Sequence, residues 1–250
     1  MSATAVPADA SAGPPRLWVT LLWIVAFVIA NLVANAVGIA AYLFWRHEPA
    51  LTLLNNVKAL ENNGPFLAVT EIVSAPLLVI FALLAARTSS RRIADFLGLH
   101  WPRGRQVAFG ALGLVPLFAL DAWLTFGRAD TSAVKFAIET YRSSAAEHAL
   151  PLLFLAFAVA APLIEEFTFR GFFYSRFSLR LGALPAIVIT AVLWAVLHVQ
   201  YDVVVMGEIF LLGLILGTVR RYSGSLPLAI FLHGAWNAIS LGETAYMLSR

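Results

Sequence analysis

The sequence predicts an all-α, polytopic helical membrane protein with about 7–8 transmembrane helices. Composition is the first observation: the 250 residues are 60% hydrophobic and only 12% charged, against about 45–50% and about 25% in a soluble domain. The second is a mean hydropathy of +0.82. The third is the recurrence of apolar runs near the length of about 20 residues that a helix needs to cross a bilayer. A net charge of +3, with the basic residues confined to short loops between apolar runs, argues for the lipid bilayer as partner and against nucleic acid. Cysteine is absent, which removes disulfides, thiolate metal sites and a cysteine nucleophile.

The elements follow in order. Residues 1–15 are rich in Ala, Pro and Ser and read as a disordered N-terminal tail. They lack the basic region of a signal peptide, so the first span is expected to stay in the mature protein. That span runs from Leu17 to Trp45. Arg46 to Gly64 is a polar connection with an interfacial helix expected around Leu51–Leu60. The second span covers Pro65 to Ala86, and a basic loop from Arg87 to Arg105 precedes a third over Gln106 to Phe126. Gly127 to His148 has helical spacing and polar character, and reads as a surface helix. The fourth helix starts near Leu150 and continues to about Ser178. The fifth covers Ala183 to Val199, the sixth Val203 to Val219 and the seventh Leu226 to Leu241. No repeat and no second domain interrupt residues 16–250. Alternating the loops puts Arg16, the 87–105 arginines, Arg220 and Arg221 on one side. The excess of Arg there predicts an integral, multi-pass protein with a cytoplasmic N-terminus.

Inside the fourth helix the apolar run stops at Leu163-Ile164-Glu165-Glu166-Phe167-Thr168-Phe169-Arg170-Gly171. A charge at the bilayer centre costs from about 3 to more than about 10 kcal/mol, so ionisable residues at that depth mark function. Glu166 and Arg170 are spaced i,i+4 and can pair on one face. Glu165 is rotated about 100° from Glu166 and is free to face elsewhere. His198 lies on the fifth helix, and His233 and Asn237 share a face of the seventh at i,i+4. At about 1.5 Å per residue, Glu165 and His198 stand roughly 20 and 22 Å from one end of their helices, and His233 and Asn237 roughly 11 and 17 Å. Tilt absorbs that spread, so three helices can offer these groups to one pocket.

Such a set suits hydrolysis by water. A carboxylate removed from bulk solvent holds a proton more tightly and so accepts one from water near neutral pH. Histidine and asparagine donors can stabilise a developing oxyanion. Alternatively, Glu165, His198 and His233 could hold a divalent metal such as zinc that activates the water. No HExxH spacing and no Gly-x-Ser-x-Gly elbow is present, which argues against the usual helical zinc-protease site and a serine mechanism.

These residues resemble the CPBP intramembrane metalloprotease family, which includes the type II CAAX prenyl endopeptidases and bacteriocin-processing or self-immunity proteins. Glu165-Glu166-x-x-x-Arg170-Gly171 resembles its first motif. Trp194-x-x-x-His198 is similar to its second, with Trp where Phe is usual, and His233-x-x-x-Asn237 to its last. Gly213-x-x-x-Gly217 with Ser223-Gly224-Ser225-Leu226 resembles the stretch between, and Ala94-Asp95-Phe96-Leu97-Gly98-Leu99 a familiar loop. The resemblance covers about Arg91 to Ser240. It implies a membrane-embedded CAAX-type protease cleaving membrane-associated protein or peptide substrates near the cytoplasmic face. In it Glu165 would activate water, His198 would contact the water or the oxyanion, and His233 and Asn237 would complete an oxyanion or metal site. Glu166 and Arg170 would support them.

Plainer readings stand beside these. Glu166–Arg170 can be a structural ion pair, the histidines hydrogen-bonded core residues, and Asn237 interhelical glue. Gly213 and Gly217 read as close helix packing. Glu71 and Asp121 read as helix-contact or water-cavity residues, and Glu208 as a residue of the pocket mouth. Two other functions use the same residues: a non-catalytic membrane scaffold or immunity protein, and a transporter with Glu165, Glu71 and Asp121 as a proton relay. A transporter would favour paired broken helices from a repeat, which the sequence lacks.

Overall fold

In hydrocarbon every backbone N–H and C=O must be satisfied within the protein, so apolar runs of this length close their hydrogen bonds as helices. The computed structural model describes residues 15–47, 49, 60–127 and 131–250. The expected N-terminal tail, all but its last residue, and all but the last residue of the expected interfacial helix at Leu51–Leu60 lie outside the described residues. Among those described there is no strand. Nine helices are α1 (Leu17–Arg46), α2 (Gly64–Ala86), the single turn and a half α3 (Ile93–Leu97), α4 (Gly104–Gly127), α5 (Ser132–Ala146), α6 (Leu150–Leu181), α7 (Ala183–Val196), α8 (Val203–Ser223) and α9 (Leu226–Leu248). All seven expected spans are present as helices. Five of them, α1, α2, α4, α6 and α8, are long and apolar enough to cross a membrane. The chain is an all-α polytopic membrane protein.

The two helices outside that group depart for identifiable reasons. With 14 residues, α7 rises about 21 Å, short of a hydrocarbon core of about 30 Å. It stops before the expected Val199 because its last turn tightens: the Leu197 and His198 amides bond the carbonyls three residues back at 3.2 and 3.0 Å. The His198 ring takes the Trp194 carbonyl at 2.9 Å in place of the next helical amide. Over its 23 residues, α9 carries His233, Asn237, Ser240, Glu243 and Thr244, which make it the polar wall of the bundle rather than a lipid-facing rod.

Helix ends sort into two poles. At one, the start of α1 meets the end of α6 through an Arg176 Nε–H bond to Thr20 Oγ1 at 3.2 Å. The α3 turn meets the start of α9 there through Leu226 N–H and the Gly98 carbonyl at 2.7 Å. At the other, Arg46 at the end of α1 pairs with Glu147 at 2.6 Å. The start of α2 docks on α5, with Gly64 N–H donating to Ser143 Oγ at 2.9 Å. Gly182, at φ 89°, ends α6 and turns the chain back into α7. The first pole carries the 87–105 arginines, Arg220 and Arg221, and the second carries α5.

In this frame α6 is central, packing on α2, α3, α7, α8 and α9. Phe27, Phe96, Phe172 and Phe173 form an aromatic core toward the basic pole, and Trp194, Leu212, Leu216 and Trp236 a second around the middle of α7 and α8. The outer face of α1 exposes Leu21, Leu22, Val25, Ile29 and Leu32. Lipid tails solvate these side chains at no hydrophobic cost.

At the α5 pole, Asp202 caps α8 and also ties it to α5. Its Oδ1 accepts the Val204 and Val205 amides at 3.0 and 3.1 Å, and its Oδ2 accepts Ser132 N–H at 3.1 Å and Ser132 Oγ–H at 2.8 Å. Those Ser132 bonds are the main reason that the carboxyl is held below its usual 3.8, at about 2. A depressed folded-state value stabilises the fold above the ordinary carboxylate range, and that contribution is lost as pH falls toward about 2. Asp202→Ala should therefore destabilise the detergent-solubilised protein by about 1 kcal/mol at neutral pH. The difference from wild type in thermal unfolding should close on acidification.

Candidate active site

The sequence makes α6 bend where the carboxylates sit. Pro162 has no N–H to give and its ring crowds the carbonyl four residues back. The turn just before it, Ala156–Ala160, opens into π-helix. A second π segment, Phe167–Phe173, follows the carboxylates. There Thr168 Oγ1–H bonds the Ile164 carbonyl at 2.7 Å, a back-bond of the kind that bends helices. Between the two, Ala161–Glu166 is regular α-helix. Widened turns leave carbonyls without their usual helical donors, and α9 uses them. Asn237 Nδ2–H donates to the Phe157 carbonyl at 2.8 Å. Gly234 lies so near the Ala158 carbonyl that a Cβ there would stand 2.4 Å from its oxygen. Glycine at 234 thus lets α9 approach α6, and His233 arrives beside the two glutamates.

Five side chains then close a circuit. Arg170 Nη1–H donates to Glu166 Oε1 at 3.0 Å, with both side chains fully buried. His233 Nδ1–H donates to the same Oε1 at 3.0 Å. Since Glu166 accepts at Nδ1, the His233 Nε2 edge faces Glu165, whose Oε2 is 3.7 Å away. That is too long for a hydrogen bond. Trp194 Nε1–H donates to Glu165 Oε2 at 2.6 Å, and the Trp194 ring lies 4.4 Å beneath the Arg170 guanidinium. Arg170 Nε and Nη2 and Glu166 Oε2 have no hydrogen-bonding partner, so the indole face supplies part of the cation's compensation. Gly213 makes room for it, since a Cβ there would lie 3.1 Å from Nη2. Gly213 also packs on Ala191, and Gly217 on Ile187, the close contact of α8 with α7 expected from their spacing.

Glu165 faces a cavity of about 470 Å³ that His198, His233 and Asn237 also line. Glu166 and Arg170 lie behind its wall. All six residues singled out in the sequence therefore meet at one place, four on the cavity and two beneath it. His198 sits on the turn after α7, its Nδ1–H held by the Trp194 carbonyl at 2.9 Å, which leaves Nε2 as the ring's accepting nitrogen. Its ring stacks on Tyr201 at 6.1 Å and 15°. Burial pushes the Tyr201 phenol up to about 12, so it remains a neutral donor. Glu71, Asp121 and Glu208 also line the cavity, joined by Glu61 and Glu243, and no Lys or Arg does among the described residues. Glu208 and Glu243 are both near neighbours of Asp121.

Two contributors were not singled out from the sequence. The Trp194 N–H is a donor that the phenylalanine usual in that motif lacks, so the departure itself was the signal. Gly234 sits directly after His233, and only the carbonyl it approaches reveals its part. A metal is the other point of difference. Among the described residues no three of His, Asp and Glu are grouped so as to hold a metal ion. Glu165, His198 and His233 do not converge as a ligand set.

Residues 147–239 match the family model described as type II CAAX prenyl endopeptidase Rce1-like. That segment is similar to an Rce1-like domain. It holds α6 to α9 almost entire, hence Glu165, Glu166, Arg170, His198, His233 and Asn237. It is narrower than the Arg91–Ser240 reach of the sequence resemblance, and α3 with its basic loop falls outside it. An uncharacterised 24.3 kDa protein of Escherichia coli is 39% identical over 89 residues, 33% of this chain and 39% of that protein. A probable multidrug resistance protein NorM of Synechocystis sp. is 33% identical over 111 residues, 43% of this chain and 21% of that protein. The chain spans about two fifths and about one fifth of these curated relatives. No solved structure matches it.

Removing Arg170 tests the circuit. Breaking a buried ion pair by deleting one partner costs about 3–5 kcal/mol, because the other charge is left uncompensated. Arg170→Met should lower thermal stability in detergent by that order, whereas Arg142→Met on exposed α5 should leave it unchanged.

Proposed function

We propose that the chain is an intramembrane endopeptidase that hydrolyses peptide bonds of membrane-associated protein or peptide substrates by a Glu165-activated water. The observation that carries the reading is Glu165 itself. It is a carboxylate 24% exposed to the cavity, with one oxygen fixed by Trp194 and the other free to take a proton from water. The Rce1-like match over residues 147–239 supports it, since the match covers every residue used. A substrate carbonyl entering the cavity would be attacked by that water as Glu165 accepts its proton. His198 Nε2 would orient the water as a hydrogen-bond acceptor. Asn237 has a second amide N–H beyond the one given to Phe157, and it would donate to the oxygen on which negative charge develops. Glu165 would then return the proton to the leaving amine. Glu166 and Arg170 hold His233 and Trp194 in place and touch no substrate.

Glu165→Ala and His198→Ala should each abolish cleavage of a membrane-peptide library by the purified, folded protein, read by mass spectrometry of the products. Retained cleavage in either would sink the mechanism. Repeating the wild-type assay with a chelator measures any metal dependence. A transporter is the second reading, favoured by the carboxylates shared along the cavity and by the relative named as a multidrug resistance protein. It predicts substrate-dependent proton flux in liposomes and no peptide products.

The resemblance implied cleavage near the cytoplasmic face, while the arginines imply a cytoplasmic N-terminus. Here the two diverge, because the cavity opens toward the α5 pole, away from the basic loops. The arginine bias is the physical argument, so we assign the basic pole to the cytoplasm and the cavity mouth to the opposite face. The cysteine-free chain makes this simple to check. A cysteine replacing exposed Ala145 on α5 should react with an impermeant maleimide on intact cells. One replacing exposed Ser90 should react only after permeabilisation, and the reverse pattern would overturn the orientation.

A further inference from the structure

A second cavity, about 410 Å³, lies at the basic pole between the α3 turn, the end of α6 and the end of α8. Arg91, Arg220 and Arg221 line it, with Asp95 as its one carboxylate among the described residues. Asp95 is engaged by His100 at 3.3 Å. Among the described residues none of the three arginines has an ion-pair partner. Arg220 decides what the cavity is for. It is 7% exposed, its Nε has no hydrogen-bonding partner, and its guanidinium lies against the Tyr174 ring at 5.5 Å. The chain makes space for it at Gly98, where φ is 76° and a Cβ would stand 2.3 Å from the guanidinium carbon. A buried cation with no counter-charge is expensive unless something outside the chain supplies one.

We infer that this cavity binds the phosphate headgroup of an anionic phospholipid. The chemistry required is a phosphate, which arginine forks match. The position favours a lipid over a free ion: the cavity sits where α2, α6 and α8 leave the hydrocarbon, at headgroup level. Basic pockets between helix ends hold anionic headgroups in this way. One side of it carries exposed apolar surface, with Tyr222 half exposed and Leu184, next to the lining Ala183, exposed. Acyl chains can follow that surface while the headgroup sits on the arginines. The site lies at the opposite pole from the proposed catalytic cavity and stands independently of it.

The test uses the full chain, purified in mild detergent and equilibrated with equal amounts of phosphatidylglycerol and phosphatidylcholine, with retained lipid counted by native mass spectrometry. A basic residue beside an anionic lipid contributes about fivefold. Preferential retention of phosphatidylglycerol should therefore fall on the order of 25-fold in the double variant R91A/R221A, whose residues are not part of the buried core. Arg220→Gln should lose it as well, and the double variant keeps the result decisive if Arg220→Gln does not fold. Retention that survives millimolar inorganic phosphate supports the headgroup. Equal retention of both lipids, an unchanged preference in R91A/R221A, or full displacement by inorganic phosphate would each overturn it.

Discussion

Arg170 is a guanidinium with no exposed surface in the middle of a helix that crosses hydrocarbon. Such a charge is tolerated only if the fold surrounds it with compensation. Glu166 supplies the counter-charge one turn away, Trp194 supplies a π face, and the missing Cβ at Gly213 supplies space. Each demand reaches another helix: α6 needs α7 for the indole and α8 for the glycine. Glu166 then has a second task, because the oxygen bonded to Arg170 also receives His233. The interaction that makes Arg170 affordable is thus the one that orients the α9 histidine. Trp194 is shared in the same way, with its face on Arg170 and its N–H on Glu165. The proposed base is held by the solution to a burial problem.

The second constraint is covalent. Pro162 stands three residues before Glu165, and the π segment it terminates presents the Phe157 and Ala158 carbonyls to α9. Asn237 and Gly234 fit those two carbonyls. A regular helix with an N–H at position 162 would have bonded both internally and held α9 farther away. The local failure of α-helical hydrogen bonding on α6 is therefore what lets α9 dock, and docking brings His233 within reach of Glu165. Irregular backbone at membrane depth is sustained only where protein or a cavity covers it, and here α9 covers it.

Most of this was legible because hydrocarbon restricts the options. Apolar length gave the spans, and the i,i+4 spacing gave the Glu166–Arg170 pair and the shared face of His233 and Asn237. Equal depth predicted one pocket, and Glu165, His198, His233 and Asn237 line one. The early end of α7 was not legible, since it depends on a side chain, His198, competing for a backbone carbonyl. Nor were the π segments: Pro162 and Thr168 are visible, but which turn yields depends on what α9 offers in return. Glu71 and Asp121 had no partner in sequence, and only the direction of α2 and α4 brings them to the cavity of Glu165. The bond from Trp194 needed the ring's orientation.

The two poles explain how one bundle can hold a cavity rich in carboxylates and a pocket rich in arginines. On α8 they are 12 residues apart, Glu208 near one end and Arg220 near the other, about 18 Å along the axis. Helix direction alternates, so α2 and α8 carry their acids early while α4 and α9 carry Asp121 and Glu243 late, and all four meet at the α5 pole. Arginines in the loops of the other pole follow the rule that governs insertion. Acids contribute little to that rule and are free to gather at the other pole. Crowding would be costly if every carboxyl carried a full charge. Asp121, Glu208 and Glu243 are close neighbours on the cavity wall, each with another carboxyl beside it. Glu165 differs from that trio because its bonded donor is the Trp194 N–H, which neutralises nothing and leaves the carboxylate able to accept a proton. Within one cavity, the group with a neutral donor is the one suited to act as a base.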